Sequence, residues 1–240
     1  MDNQLVQFHD LGIMQFKEAW DYQERLLQEN LSIKTILRDA ADKGLDKNIS
    51  VQTQHYLLFV EHPHVFTLGK SGNFNNILVN KDNLSEKGIE FFHINRGGDI
   101  TYHGPGQIVG YPIFDLEKFY TDIGKYLRNI EEVIILTLAE YGLRGERSQG
   151  ETGVWLDPQR KGYERKICAI GVRTSRWVTM HGFALNVNTD LNYFNLIVPC
   201  GIQGKQVTSL RKELGKETDL NEVKEKLKKN FEKVFSIQLT

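Results

Sequence analysis

A cysteine and a lysine are the first candidates for chemistry in this sequence. Cys200 stands between Pro199 and Gly201, where a restricted backbone position followed by a permissive one predicts a loop that projects the thiol. A free cysteine is more commonly a small buried hydrophobic residue, and Cys168, inside a strand-like apolar run, fits that description. Lys166 opens the same run, and a nearby ammonium group would favour the reactive thiolate form of a cysteine. A solvated strand end is the competing interpretation of Lys166.

A glycine-rich segment at residues 96–107 is the second candidate. It reads Arg-Gly-Gly-Asp-Ile-Thr-Tyr-His-Gly-Pro-Gly-Gln and lies between strand-like apolar runs at 91–94 and 108–114. Glycine lets a backbone approach a ligand closely and adopt positive φ angles. Repeated glycines beside an arginine, a tyrosine and a histidine therefore suggest a loop that is shaped around a bound molecule. Two tight turns in a β-meander would show the same composition, so both interpretations stay open on the residues alone.

Neither a phosphate-binding loop nor a metal site is predicted. The Gly-Lys-Ser sequence at 69–71 resembles the end of a nucleotide-binding P-loop, but His64 stands where its first glycine would be and the intervening residues are strand-like. The sequence contains no Cys-x-x-Cys or His-Glu-x-x-His spacing, and Pro63 favours a turn between His62 and His64. We therefore expect no metal and no cofactor.

Charge is distributed unevenly along the chain. Residues 159–178 contain six basic side chains and one acidic side chain, in a protein of net charge −1. This local excess predicts a docking surface for an acidic partner, with a solvated hairpin as the alternative. The near-neutral total gives no indication of a nucleic-acid or membrane partner, and the apolar run at 133–136 is too short to cross a bilayer. With two cysteines and no apolar leader, the expected location is the cytoplasm.

Hydrophobic periodicity predicts the elements that must position these residues. Apolar side chains at helical spacing predict helices at 16–27, at 123–141 and at 220–235, the last with Asp219 as its N-cap. After the first of these, looser helical character continues to near residue 44. Strand-like runs occur at 5–8, 56–60, 65–68, 90–95, 108–114, 152–156, 166–172 and 178–188. A length of 240 residues with 40% apolar content suits one domain. We predict a single α+β domain over residues 1–240, with a mixed, largely antiparallel sheet and packed helices.

Several collinear motifs together resemble the octanoyltransferases of lipoate biosynthesis. The likeness runs from about residue 16 to residue 210 and implies the fold shared by lipoate and biotin protein ligases. Residues 32–54 look like an insertion relative to the usual pattern, and no role is assigned to them. The matching stretches are at 61–70, 96–107, 153–155, 166–171, 181–186 and 199–201.

The resemblance implies a role for each candidate residue. Cys200 corresponds to the nucleophile, and Lys166 corresponds to the lysine that lowers the pKa of its thiol. Cys200 would accept an octanoyl group as a thioester and pass it to an amine as an amide. The implied acyl-binding pocket consists of Arg96, Gly97, Gly98, Asp99, Ile100, Thr101, Tyr102, His103, Ala169, Ile170, Gly171, Gly182, Phe183 and Ala184.

Partners and alternatives follow from the same resemblance. The implied donor is octanoyl-acyl carrier protein, and the implied acceptors are lipoyl domains of 2-oxoacid dehydrogenase-type complexes and glycine cleavage H-type protein. We expect a monomer that needs neither ATP nor magnesium. An ATP-dependent lipoate or biotin protein ligase is one alternative, because it activates a free carboxylate and needs no cysteine. A non-catalytic module that binds acylated carrier domains is the other, because it needs neither Cys200 nor Lys166.

Overall fold

The computed structural model describes residues 4–44, 50–79, 84, 86–198 and 206–240. The α-helices of these residues are α1 (Phe16–Asp42), α2 (Ile123–Ala139), α3 (Leu210–Leu214) and α4 (Leu220–Phe235). The strands are β1 (Gln4–Ile13), β2 (Tyr56–Glu61), β3 (Val65–Leu68), β4 (Glu90–His93), β5 (Ile100–His103), β6 (Gln107–Ile113), β7 (Val154–Leu156), β8 (Arg165–Ser175), β9 (Val178–Asn186), β10 (Gln206–Val207) and β11 (Ile237–Leu239). Short 3₁₀ helices occur at Phe74–Asn76, Leu116–Lys118 and Leu191–Leu196.

The large sheet is mixed, as predicted. Its strands follow the order β10-β8-β9-β6-β2-β1-β11, and β7 pairs with β8 off that path. The central strands β8, β9, β6 and β2 pair antiparallel, and β7 joins β8 in the same sense. Parallel pairs lie toward the edges, where β1 pairs with β2 and β11, and β10 pairs with β8.

A second, three-stranded sheet has the order β4-β3-β5. Its strand β5 lies inside the glycine-rich segment and pairs antiparallel with β3, so that Phe66 faces Tyr102. Of the two interpretations left open for this segment, the one with tight turns in a β-meander fits residues 100–103, which form a strand and not a loop. Glycines on both sides of a four-residue strand conceal it in the sequence, and the segment is in fact two turns around a strand.

Helices cover both faces of the large sheet. Side chains alternate between the faces of a strand, and on β2 Leu57 and Phe59 join a cluster with α2 and α4. Leu58 and Val60 point the other way and pack with the apolar side chains of α1. The unbroken apolar run of β2 is therefore explained by burial on both faces.

Helix α1 is one continuous helix. The regular apolar spacing ended at residue 27 and looser helical character was expected to continue to near residue 44, and α1 runs without a break to Asp42. Asn30 and Gln54 exchange two hydrogen bonds of 2.8 Å, Nδ2 to the carbonyl and backbone amide to Oδ1. Lys34 also pairs at 2.8 Å with Asp115, which is almost fully buried. The first part of the predicted insertion is thus packed on the domain, while residues 45–49 lie outside the described residues.

The C-terminal helix matches its prediction. Helix α4 spans Leu220–Phe235, and Asp219 caps it by accepting a hydrogen bond from the Asn221 amide. After Ser236 the chain forms β11 beside β1, with Gln4 opposite Ile237.

Candidate active site

A cavity of about 590 Å³ is lined by residues of both sheets. This volume is typical of small-molecule sites. Most of the predicted pocket residues line it, and so does Lys166. The predicted lining residues at the cavity are Arg96, Gly97, Gly98, Asp99, Ile100, Thr101, His103, Ala169, Ile170, Gly171, Gly182, Phe183 and Ala184. Cys200 lies outside the described residues.

Tyr102 is the predicted pocket residue that does not line the cavity. Alternation along β5 sends its side chain to the opposite face from Thr101 and His103. The Tyr102 ring stacks on Tyr193 with 5.0 Å between ring centroids, and its hydroxyl lies 2.8 Å from Nδ1 of His64. Tyr102 is therefore part of the small core behind the cavity wall.

Glycine is required where the glycine-rich segment touches β8. A Cβ at Gly171 would lie only 2.7 Å from the carbonyl oxygen of Gly97. The Gly97 amide donates a 2.9 Å hydrogen bond to the carbonyl of Val172. Because no side chain separates the two backbones, the segment packs directly on β8 and closes this side of the cavity.

The guanidinium of Arg96 ties the same segment to β3. Its Nη2 donates to the carbonyl oxygen of Thr67 at 2.6 Å and to Oγ1 of Thr67 at 3.0 Å. Its Nη1 donates to the carbonyl of Gly97 at 3.0 Å. Arg96 is buried, so the cavity wall carries a cation whose orientation is fixed by these bonds.

The turn at residues 69–71 uses its amides within the protein. The amides of Gly69, Lys70 and Ser71 donate to the carbonyls of Asp99, Arg96 and Gly98 at 3.2, 2.9 and 3.3 Å, respectively. A phosphate-binding loop would direct such amides at its ligand. The geometry is that of a turn supporting the glycine-rich segment.

His103 has a fixed tautomer. Both hydrogens of the Gln107 amide nitrogen have acceptors, the Tyr102 carbonyl at 3.1 Å and Oδ1 of Asn186 at 2.9 Å. Oε1 of Gln107 must then accept a hydrogen bond from His103, whose Nδ1 lies 2.8 Å away. The proton of the neutral ring therefore sits on Nδ1, and Nε2 of His103 carries the lone pair.

The histidines at the cavity are held neutral. Burial lowers the pKa of His103 to about 3 and that of His181 to about 3. Behind them, burial lowers the pKa of His62 to about 4, and Nε2 of His62 lies 2.7 Å from the hydroxyl of Tyr111. Desolvation disfavours the charged imidazolium in each case.

Lys166 reaches the cavity from the second residue of strand β8. Its Nζ donates a 3.4 Å hydrogen bond to the carbonyl oxygen of Thr152. The same atom lies 4.6 Å from the centre of the Trp155 ring, which is a cation–π distance. Thr152, just before β7, and Trp155, within β7, therefore hold the ammonium group of Lys166.

Comparison with known proteins identifies the family. The family described as lipoyl protein ligase A/B catalytic domain matches residues 16–232, which is most of the chain. The chain belongs to the lipoyl protein ligase A/B catalytic domain family.

Relatives within this family are similar over their whole length. An octanoyltransferase of Christiangramia forsetii is 58% identical over 99% of this chain and 98% of the relative. An octanoyltransferase of Flavobacterium psychrophilum is 59% identical over 97% of both chains. The family predicted from the motifs is confirmed.

Solved structures of the lipoyl protein ligase A/B fold are also similar. A bipartite lipoate protein ligase of Thermoplasma acidophilum superposes with a TM-score of 0.66 at 17% identity, covering 100% of this chain and 86% of that chain. A lipoate-protein ligase A bound with ATP gives a TM-score of 0.66 at 16% identity, covering 100% and 88%. These likenesses confirm the predicted fold class.

Cys168 is the thiol of this family member that the structure describes. It is buried in β8, and burial raises the pKa of its thiol far above the ordinary value. A buried neutral thiol is a poor nucleophile. The interpretation of Cys168 as a small buried hydrophobic residue is confirmed.

The predicted basic surface does not form one patch. Arg165 and Arg173 lie eight residues apart on β8, about 27 Å for an extended strand. Arg165 pairs with Glu213 at 2.7 Å, whereas Arg173 pairs with Glu24 of α1 at 2.9 Å. The prediction counted charges along a hairpin whose two ends point to different parts of the surface.

Several cavity residues were missed from the sequence. Phe16 of α1 and Leu127 of α2 sit at positions that also fit a core stripe, so nothing in the periodicity distinguishes them. His181 lies in the matching stretch at 181–186 but was not assigned to the pocket, and its φ of 58°, which is unusual for a non-glycine residue and typical of functional sites, is visible only in the structure. The additional lining residues are Phe16, Ser71, Ile94, Val109, Tyr111, Ile123, Leu127, Glu151, Thr152, Val172 and His181.

Neither a cluster of metal ligands nor a membrane-spanning helix occurs in the described part of the chain. Those residues contain no group of three or more His, Cys, Asp or Glu side chains that could hold a metal ion. Within the same ranges, no helix has the length and apolar character needed to cross a membrane.

Proposed function

We propose that this protein transfers an octanoyl group from acyl carrier protein to a lysine of lipoyl domains, through a thioester on Cys200. Octanoyl transfer in lipoate biosynthesis is the activity of the full-length relatives, and this chain is an acyltransferase of the same kind. The observation that carries the finer proposal is the position of Lys166. Lys166 is the one lysine among the described residues that line the cavity.

The cavity suits an acyl chain. Much of its wall is apolar, with Ile100, Ile170 and Phe183 among the lining residues. Burial of a methylene group contributes about 0.8 kcal/mol, so the six methylenes of an octanoyl chain would contribute about 5 kcal/mol. Glycines at the wall leave space for a flexible chain in contact with backbone.

The described residues before and after Cys200 in the sequence are tied to the cavity wall. Before it, the Val198 amide donates to the Asn76 carbonyl at 2.7 Å, and Asn76 in turn bonds through its side-chain amide to Asp99 at the cavity. After it, β10 pairs with the start of β8, so that Val207 faces Lys166. Two peptide units span at most about 7 Å, which supports a Cys200 thiol within reach of the cavity.

The proposed reaction has two steps. The Cys200 thiolate attacks the carbonyl carbon of the carrier thioester, the carbon–sulfur bond to the carrier breaks, and the departing thiolate takes a proton from the Lys166 ammonium. The neutral amine of a lipoyl-domain lysine then attacks the octanoyl-enzyme. Lys166 receives the proton that this amine loses, an amide forms, and Cys200 leaves as a thiolate that the restored ammonium stabilises.

Two tubes test the transfer against the ligase alternative. One contains the protein, a lipoyl domain and octanoyl-carrier protein without ATP, and the other contains free octanoate with Mg-ATP. A thioester is already an activated acyl group, whereas free octanoate needs an adenylate, so we expect product only in the first tube. Product only in the second tube would replace the transferase with a ligase.

A mass measurement tests the role of Cys200 and the binding-module alternative. Incubation with octanoyl-carrier protein alone should add about 126 Da to the protein, one octanoyl group less the displaced hydrogen. Peptide mapping should place it on Cys200, and Cys200→Ser should abolish both the adduct and the product. The same adduct on Cys168, or no adduct on either cysteine, would contradict the proposal.

A further inference from the structure

A buried carboxylate lies behind the residues that hold the Lys166 ammonium group. Glu131 on α2 is fully buried. Its Oε2 accepts hydrogen bonds from Arg128 Nη1 at 2.6 Å and from Arg147 Nε at 3.0 Å, and its Oε1 accepts one from the Gly153 amide at 3.0 Å. A buried charge is costly unless it is paired and hydrogen-bonded. Each partner therefore belongs to one arrangement centred on this carboxylate.

Gly153 connects that carboxylate to the lysine. The carbonyl of the preceding residue, Thr152, accepts the hydrogen bond from Lys166 Nζ, and Trp155, two residues further on, presents its ring to the same atom. The ladder between β7 and β8 starts at Val154. The bond from Gly153 to Glu131 therefore holds the stretch that the ladder does not reach.

The conformation of Gly153 shows how closely this stretch is fitted. Its φ is +122°, and a Cβ there would lie 2.6 Å from the carbonyl oxygen of Cys168 and 3.5 Å from Cε of Lys166. Residue 153 thus passes directly over the strand that carries the lysine. A small displacement of its amide would move the Thr152 carbonyl away from Lys166 Nζ.

We propose that Glu131 is a positioning residue for the acyl transfer. Its carboxylate fixes Gly153, and through Thr152 and Trp155 it keeps the Lys166 ammonium where that group stabilises the thiolate and exchanges a proton. This inference rests on the proposed function, since it requires Lys166 to act on Cys200.

The sign of the effect separates positioning from direct electrostatics. An anion close to a thiol raises the thiol's pKa, as Glu131 does for Cys168 through its charge. Removing that charge would by itself lower the pKa of a nearby thiol. Loss of a well-placed ammonium acts in the opposite direction and raises it. A rise on neutralising Glu131 therefore reports on Lys166.

Glu131→Gln is the test variant, and Glu132→Gln is its matched control. A carboxamide keeps the size of Glu131 but turns one acceptor into a donor, so it cannot accept from two arginines and an amide together. Glu132 is the next residue, also pairs with Arg147, at 2.6 Å, and its side chain is 40% exposed. The control thus removes the same charge from the same arginine at an exposed position.

Two measurements are made on each variant below its thermal unfolding midpoint. One is the pH dependence of alkylation of Cys200 by iodoacetamide, followed by peptide mapping, and the other is octanoyl transfer. For Glu131→Gln we expect a kcat about tenfold lower, a KM within about twofold and an upward shift in the alkylation midpoint. Glu132→Gln should leave all three unchanged. A purely structural Glu131 would lower the unfolding midpoint and leave the alkylation profile where it was, which would overturn the inference.

The double variant distinguishes failure of this inference from failure of the proposed function. If Glu131 acts through Lys166, Glu131→Gln should not raise the alkylation midpoint further in a Lys166→Ala background. An equal rise in both backgrounds would refute positioning. If Lys166→Ala alone leaves the midpoint unmoved, the proposed function itself is wrong about this lysine.

Discussion

The two ends of β8 carry the same kind of side chain and use it differently. At the first end, Lys166 faces the cavity and contacts the Trp155 ring. At the far end, Arg173 pairs with Glu24, and Arg176 donates a 2.8 Å hydrogen bond from Nη2 to the Leu31 carbonyl. One end presents a cation to a site, and the other end fastens a helix to the sheet.

The difference shows that charge counted along a sequence does not predict a surface. The two groups of basic residues lie at opposite ends of an 11-residue strand. Helix α1 then uses the far group for its own attachment. What remains near the cavity end are the exposed side chains of Arg160 and Lys161, with Arg160 stacked 3.6 Å from the Tyr163 ring centre.

The largest expected effect is on the cavity end. Lys166→Ala should lower octanoyl transfer by about 10²- to 10⁴-fold, the range typical of a lost acid–base group, with little change in unfolding temperature. Lys161→Ala is the control, because it removes an exposed lysine from the connection that leads into β8. Equal activity of the two variants in a transfer assay would remove the functional distinction between the ends of β8.

Acid should destabilise the folded protein, because buried histidines at and behind the cavity are neutral in it. The folded-state pKa values of His62, His103 and His181 lie at about 4, 3 and 3, below the ordinary 6.5. Below pH 6.5 the unfolded chain binds protons that the folded protein does not. The contribution of these histidines to the free energy of unfolding is therefore complete above that pH and is lost below it. It should fall by up to about 1.4 kcal/mol per pH unit for each histidine as pH drops from about 6.5 toward 4.

Urea unfolding at several pH values measures this slope. His181 is informative because, in addition to burial, Arg96 of the cavity wall and Arg173 of the far end of β8 both help to lower its pKa. His181→Gln should reduce the slope by one histidine's share between pH 6.5 and about 5.5, where ordinary carboxylates stay largely ionised. A slope equal to that of the unmodified protein would contradict the neutral, buried state of this ring.

Gly153→Ala should destabilise the cavity end by about 2–4 kcal/mol. The new Cβ would meet the Cys168 carbonyl at 2.6 Å, in addition to the strain of a positive φ. Gly162→Ala is the control, because Gly162 has a φ of +83° and a Cβ there would have no other atom within 4 Å. Its cost should be about 1 kcal/mol. Chemical unfolding of both variants gives the comparison, and equal losses would mean that close packing at Gly153 is unimportant.

Arg176→Ala should have a smaller effect, confined to stability. Arg176 donates hydrogen bonds to the Leu31 carbonyl and, at 2.9 Å, to Oγ1 of Thr35. Because the side chain is exposed, we expect a loss of about 1 kcal/mol and unchanged octanoyl transfer. A fall in kcat comparable to that of Lys166→Ala would show that the far end also serves the site.

The smallest expected effect concerns docking. Reversing Arg160 and Lys161 to Glu should slow association with an acidic carrier protein by a few-fold and weaken its salt dependence, while turnover of a small octanoyl thioester stays unchanged. Stopped-flow association at two salt concentrations is the measurement. An equal loss with both substrates would indicate a folding defect and not a docking surface.

Sequence patterns predicted elements whose own residues fix them. Helix α4 has an N-cap at Asp219 and a single apolar stripe, and β2 and β3 are mostly apolar runs, so their bounds were nearly correct. Strand β5 was missed because glycines flank its four residues, and β10 was missed because two residues are too few to show a period. They exist because partners distant in sequence supply their hydrogen bonds.

The candidate site likewise contains residues that the sequence indicated and residues that only the fold reveals. Lys166 and the glycine-rich segment were found because their residue types indicate chemistry. The Thr152 carbonyl could not be found, since every residue has a carbonyl and only the fold brings this one to Lys166. Glu131 looked like any acidic residue of a helix, because its partner Gly153 lies 22 residues away.

The hydrogen bonds between Asn30 and Gln54 bring two distant points of the chain together, so the chain between them is a detour that begins and ends at the same place on the domain. The cost of closing a loop rises slowly with its length, so this detour can vary in length with little effect on the rest of the protein. Asp115 sets the limit. It is buried and depends on Lys34 and, through a 2.9 Å hydrogen bond, on Thr53 from within the detour. Any shorter version must therefore supply another cation to Asp115 or replace it with an apolar residue.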